Sequence, residues 1–162
     1  MSLVTLVDVL EKAEGGKYAV GAFNCNNMEI VKSIAEAAEK ENAPVIIQAS
    51  QGAINYAGLN YITALVKTAA EEVDIPIVLH LDHGTDLDQI VRCIRYGFTS
   101  VMIDGSKLPF EENISLTRKV VEIAKAVGVS VEAELGRIGG TEDDIHVSEK
   151  DALFTDPDEA SV

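Results

Sequence analysis

The sequence has no tryptophan, and four tyrosines and four phenylalanines supply its aromatic side chains, so a core must be built mainly from Val, Ile, Leu and Ala. Basic residues are scarce as well. Thirteen Lys and Arg stand against 27 Asp and Glu, a formal net charge of −14. That deficit argues against non-specific binding to nucleic acid or to an anionic membrane, because both need basic patches. Most of the excess charge reads as a soluble, self-repelling surface. Cysteine is limited to Cys25 and Cys93, with no CxxC spacing. A reducing, cytoplasmic setting is therefore expected rather than a disulfide framework. There is no basic segment followed by a long apolar one at the N-terminus, so no signal peptide is expected. There is also no run of about 18 apolar residues, so no transmembrane helix is expected.

What is present is one domain's worth of ordinary globular chain: 162 residues, 47% apolar and 25% charged. Apolar periodicity alternates between strand-like and helix-like stretches. Helices are expected over residues 5–13, 27–41, 60–73, 85–96 and 110–127, and strands over 18–23, 45–49, 76–81, 98–103 and 129–135. Thr5 with Asp8, Asn26 with Glu29, and Thr85 with Asp88 read as helix caps, and Gly15-Gly16, Gly97 and Gly128 as stops. Strands recur about every 25–30 residues, the spacing of βα units. Such units give parallel strands joined by right-handed crossovers. Two architectures fit: a doubly wound open sheet, or an incomplete (β/α)8 barrel, whose full length is typically about 250 residues. No GxGxxG follows the first strand, which weighs against a dinucleotide-binding version of the open sheet.

Both architectures place ligands at the carboxyl ends of the strands. In order, those ends carry Asn24, Ser50, Asp82 with His83, Asp104, and Glu132 with Glu134. Asn24 and Ser50 are individually explained as ordinary turn or cap residues. Glu132 and Glu134 are two apart and share a face. Alone they would be taken as water-facing, but four acidic groups on adjacent strand ends beside a histidine tip the balance toward a metal site. His80 and His83, three apart, point to opposite faces of an extended strand, so they are not expected to share an ion. His80 reads as a core residue and His83 as the freer ligand. His146 is expected to be simply exposed. Residues 136–144 carry three glycines and then Thr141-Glu142-Asp143-Asp144. No GKS or GKT follows, so this is not a P-loop. It reads as a solvated acidic run, or as a lid that brings Glu142 in as a general base.

Ala22-Phe23-Asn24, Ile46-Ile47-Gln48-Ala49-Ser50-Gln51-Gly52, His80-Leu81-Asp82-His83-Gly84, Val101-Met102-Ile103-Asp104, and Glu132-Ala133-Glu134-Leu135-Gly136 followed by Gly139-Gly140-x-Glu142-Asp143 together resemble the class II, metal-dependent fructose-bisphosphate aldolases. The likeness is to the shorter subgroup that includes tagatose-bisphosphate aldolases, and it runs from near residue 3 to the chain end. The resemblance implies an α/β fold, the (β/α)8 TIM barrel, here only its first five strands with their helices. Residues 1–162 would then be the N-terminal part of one barrel domain. It implies a divalent zinc ion (Zn2+), with His83 a ligand and Asp104 and Glu134 carboxylates able to hold the ion in a more buried position. Asp82 matches the general acid/base at the substrate's C4 hydroxyl, and Glu142 the lid carboxylate that exchanges a proton with dihydroxyacetone phosphate. Asn24 and Ser50 match substrate contacts.

The expected reaction is reversible cleavage of a ketose bisphosphate, fructose 1,6-bisphosphate, to dihydroxyacetone phosphate and glyceraldehyde 3-phosphate, in glycolysis or gluconeogenesis. Tagatose 1,6-bisphosphate is the alternative substrate. No nucleic acid or membrane partner is expected, and the family implies a homo-oligomer, dimer or tetramer. The family's two further zinc histidines and its phosphate-binding groups have no counterpart here, which leads to the expectation of an inactive half-barrel that needs its other half. A different metal-assisted lyase or hydrolase on the same barrel is the remaining reading.

Overall fold

The computed structural model describes residues 3–137, 140–142, 145–148 and 152–161. Helix α1 (Leu6–Gly16) opens on the expected capping box: Thr5 Oγ1 accepts from the Asp8 amide, and the Asp8 carboxylate accepts from the Thr5 amide at 2.9 Å. The two glycines do not stop it. Lys17, at φ 56°, takes the left-handed terminating position instead. Gly16 serves a different need: a Cβ there would sit 2.6 Å from the Tyr18 ring as the chain folds back.

The chain then alternates through β1 (Gly21–Asn24), α2 (Met28–Lys40), β2 (Val45–Ser50), α3 (Gln51–Ala57), α4 (Leu59–Glu72), β3 (Ile77–Gly84), α5 (Leu87–Tyr96), β4 (Ser100–Ile103), α6 (Phe110–Lys125) and β5 (Ser130–Ala133). Two caps fall one residue later than the spacing predicted. Asn27, not Asn26, accepts from the Ile30 amide at 2.9 Å, and Asp86, not Thr85, accepts from the Gln89 amide at 2.8 Å. With α2 starting at Met28, that side chain lies on the first turn and is half exposed. Helix α3 was not anticipated. Ser50 caps it and Gly58, at φ 91°, separates it from α4.

The five strands form one parallel sheet in sequence order, β1-β2-β3-β4-β5. Sequential order with a helical crossover between each pair of consecutive strands is the pattern of a barrel wall, and it differs from the doubly wound sheet, in which strand order reverses. Alternation along the strands defines two faces. Ile77, Leu79 and Leu81 point outward into the main core, with Ile47, Ile62, Val66, Ile90 and Val101. Val78 points inward and packs with Ile46 against Leu6 and Val9 of α1. Helix α1 therefore lies under the amino-terminal end of the sheet. The Val4 amide donates to Ile77 O at 2.9 Å, and the Val7 amide reaches Ser130 Oγ at 3.1 Å on the far strand. With that end filled by apolar side chains, the polar residues of the inward face gather toward the carboxyl ends. Within the acidic loop, β6 (Gly140–Glu142) pairs antiparallel with β7 (Ile145–Val147). Ile138, Gly139, Asp143 and Asp144 lie outside the described residues.

Candidate metal and acid/base site

Two clusters meet at the carboxyl end of β3. The first joins three neighbouring strands. Asn24 Nδ2 donates to Asp82 Oδ2 at 2.7 Å, and Gln48 Nε2 donates to the same oxygen at 3.0 Å and to Asn24 Oδ1 at 3.0 Å. Two amide donors on one carboxylate oxygen fix the side-chain rotation of Asp82. Its other oxygen, Oδ1, faces His83 Nε2 at 3.9 Å.

The second cluster is centred on His83. Its Nδ1 lies 3.1 Å from Asp104 Oδ2 and 3.4 Å from Glu134 Oε2. The hydrogen bond to Asp104 raises the His83 ring to about 9, against the opposing effect of partial burial, with the charges of Asp82 and Glu134 adding to it. For Asp104, burial would raise the carboxyl, but hydrogen bonds from His83 and from the Ser106 side chain and main chain prevail and hold it at about 2. Ligand atoms of His83, Asp104 and Glu134 all lie within 4.8 Å of one another. One imidazole and two carboxylates, partly buried, suit a divalent cation.

His83 reaches this cluster through a break in strand regularity. The β3–β4 register shifts between Leu81 and Gly84, and His83 sits at φ 47°. A regular strand would have sent its side chain to the opposite face from His80 and Asp82. The expected separation of the two histidines into opposite faces is therefore corrected, although they do have different partners. His80 is buried, with Nδ1 2.8 Å from Ser100 Oγ and Nε2 3.7 Å from Glu132 Oε2. Burial lowers its ring to about 4, despite the nearby Asp82 charge, so it is neutral at pH 7. Burial, with Asp82 adding, raises the carboxyl of Glu132.

The remaining sequence candidates divide. Ser50 is buried in register with Asp82, and its Oγ accepts from the Ala53 amide at 3.2 Å as the cap of α3. Glu142 lies on β6, and neither its side chain nor that of His146 is among those described. Three participants were missed from sequence. Gln48 shares the face of Ser50 by strand parity, and that signal was available. Gln51 and Asn113 act through main-chain carbonyls and left no pattern to read. Cys25 and Cys93 are buried and unpaired, and burial pushes both thiols up, to about 11 and about 12, which leaves them inert.

A sequential parallel sheet with a hydrogen-bonded carboxylate beside an imidazole–carboxylate cluster at its strand ends defines the wall of an α/β barrel with a candidate cation site. Residues 4–162 match the family described as fructose-bisphosphate aldolase class-II, and the chain belongs to that family. It is 50% identical over 160 residues to a fructose-bisphosphate aldolase of Thermus caldophilus, covering 99% of this chain and 52% of that one. It is 43% identical over 159 residues to the D-tagatose-1,6-bisphosphate aldolase subunit GatY of Klebsiella oxytoca, covering 98% and 56%. Among solved structures, the YdjI aldolase of Escherichia coli K12 superposes with a TM-score of 0.86 at 30% identity, over 98% of this chain and 56% of that one. A structure described as a putative fructose-1,6-biphosphate aldolase from Coccidioides immitis gives 0.85 at 34%, over 96% and 55%. The chain spans about half the length of these relatives.

Proposed function

We propose that this chain carries the acid/base and part of the metal site of a metal-dependent fructose-bisphosphate aldolase that cleaves fructose 1,6-bisphosphate reversibly to dihydroxyacetone phosphate and glyceraldehyde 3-phosphate. The observation that carries this reading is the orientation of Asp82. One of its oxygens is tied down by Asn24 and Gln48, and the other is turned toward the His83–Asp104–Glu134 cluster.

In cleavage, Asp82 Oδ1 accepts the proton of the C4 hydroxyl while the C3–C4 bond breaks and its electron pair moves toward the C2 carbonyl. The amides of Asn24 and Gln48 hold the carboxylate in line throughout. Glu142 returns a proton to C3 of the three-carbon product. His83, Asp104 and Glu134 would hold a zinc ion, whose Lewis acidity, when bound, stabilises negative charge developing on substrate oxygen. Ser50 keeps its hydroxyl proton available for substrate while its oxygen caps α3.

Four βα units and a fifth strand, within a single barrel domain, supply one wall of the site. On this reading they are inactive without the remainder, and the whole protein is a cytoplasmic, glycolytic homo-oligomer. Tagatose 1,6-bisphosphate is the second substrate reading, favoured by the 43% identity to the Klebsiella oxytoca relative. The test is a coupled cleavage assay on the whole protein with each bisphosphate, with and without chelator. Asp82→Asn, similar in shape but no base, should lower kcat by about 10²–10⁴-fold. An Asp82→Asn protein as active as the parent would end the proposal.

A further inference from the structure

Two of the three residues in the imidazole–carboxylate cluster have their main-chain carbonyls held by a side-chain amide from a helix. Gln51 Nε2 donates to His83 O at 2.9 Å and to Thr85 Oγ1 at 2.7 Å. Asn113 Nδ2 donates to Glu134 O at 2.8 Å, while Asn113 Oδ1 accepts from Thr117 Oγ1 at 3.3 Å. We propose that Gln51 and Asn113 are positioning residues that preset the cation geometry of this cluster by fixing the backbone behind His83 and Glu134. The inference deepens the metal-site reading above and rests on it.

The case is strongest at His83. The Asp104 amide bonds to Gly84 O at 2.8 Å, so the sheet ladder resumes one residue beyond His83. The His83 carbonyl is turned to Gln51, and the residue sits at φ 47°, a left-handed conformation that side chains with a Cβ disfavour. Relaxing His83 into the strand would restore strict alternation and swing its imidazole away from Asp104 and Glu134. Gln51 opposes that relaxation from a fixed base: it is the first residue of α3, whose cap, Ser50, ends the neighbouring strand β2.

Asn113 repeats the arrangement two strands along the wall. It is buried in α6, which follows β4, and it reaches the chain just beyond β5, as α3 after β2 reaches the end of β3. The fit behind it is close. A Cβ on Gly105, directly after Asp104, would lie 2.1 Å from Asn113 Oδ1. The third member of the cluster, Asp104, is held by the Ser106 amide at 3.0 Å. Each of the three residues thus has a hydrogen bond behind it, at the main-chain carbonyl for His83 and Glu134 and at the carboxylate itself for Asp104, and outer partners of this kind orient metal ligands.

Cobalt(II) titration of the intact, metal-stripped protein tests this through visible absorption, alongside thermal melts of the same metal-free samples. Gln51→Met keeps the length and removes the donor. It should weaken cobalt binding about tenfold and alter the band shape, and Asn113→Leu should act in the same direction. If Asn113→Leu fails to fold, Gln51→Met alone decides. Parental cobalt affinity and spectrum in Gln51→Met overturn the inference, including when its melting point falls, since that outcome marks a merely structural contact. His83→Ala separates the two levels of the argument. If it binds cobalt like the parent, the metal site itself is wrong and both readings fall.

Discussion

Replacing Asp104 with asparagine in chelator-treated protein should remove a stabilising interaction whose pH window follows from the site. His83, raised to about 9 from 6.5, binds its proton more tightly in the folded state. Its contribution is therefore complete below pH 6.5 and fades as pH climbs through 9. Asp104, lowered to about 2 from 3.8, contributes fully above pH 3.8 and loses that contribution as pH falls through 2. The advantage of the parent over Asp104→Asn is thus greatest between pH 4 and 6.5.

The two shifts describe one interaction and are not added. At 1.36 kcal/mol per pH unit, His83 implies about 3 kcal/mol and Asp104 about 2 kcal/mol. The smaller figure is the better guide, because Asp104 is 4% exposed and His83 20%, so solvent screens the histidine more. With that screening, about 1–2 kcal/mol remains. Urea unfolding of the two proteins at pH 5, 7, 8.5 and 10 measures the difference directly, and the imidazole resonances report the His83 titration. A difference that stays flat to pH 10, or a His83 ring titrating near 6.5 in the parent, would refute the ion-pair reasoning.

Asp86→Ala should lower stability by about 1 kcal/mol, because Asp86 is the cap of α5. A chemical denaturation curve measures it, and no loss would mean that the 2.8 Å contact to Gln89 is not holding the helix start. Gly105→Ala, which forces a Cβ against Asn113, should cost about 1–3 kcal/mol. A melting temperature unchanged from the parent would show that Asn113 is free to move, and would also weaken its claim to position Glu134.

The alternation of parallel strands and helices was legible because periodicity and the handedness of crossovers dictate it, whereas the choice of barrel over doubly wound sheet came from the family resemblance. The Ile77–Leu79–Leu81 face and the stripes of α4 and α5 carry enough apolar area to override uncertain ends. The ends were less legible. Several side chains compete to cap a helix start, and whether Thr85 or Asp86 wins depends on contacts distant in sequence. Thr85 Oγ1 accepts from Gln51, 34 residues away, and Asp86 is left to serve α5. Helix α3 was hidden for the same kind of reason. Seven residues carry too little periodicity to declare themselves, and Ser50 looked equally at home as a substrate contact.

The site shows where a local rule misleads and which residue overrides it. Strict alternation separates His80 from His83, and on a regular strand that conclusion is sound. It fails because His83 occupies a left-handed conformation and the register slips by one position against β4. Sequence offered one clue, the glycine that follows. At Gly84 an added Cβ would meet Met102 O at 2.7 Å, so the chain must pass close to β4 immediately after the histidine. A close approach permitted only by glycine, next to a residue bent out of the strand, brings imidazole, Asp82 and Asp104 to the same side. Alternation alone assigns His83 to the outer core, where a ring drawn toward protonation would be costly. The irregularity is what brings a strand-end histidine to the centre of the candidate cation site.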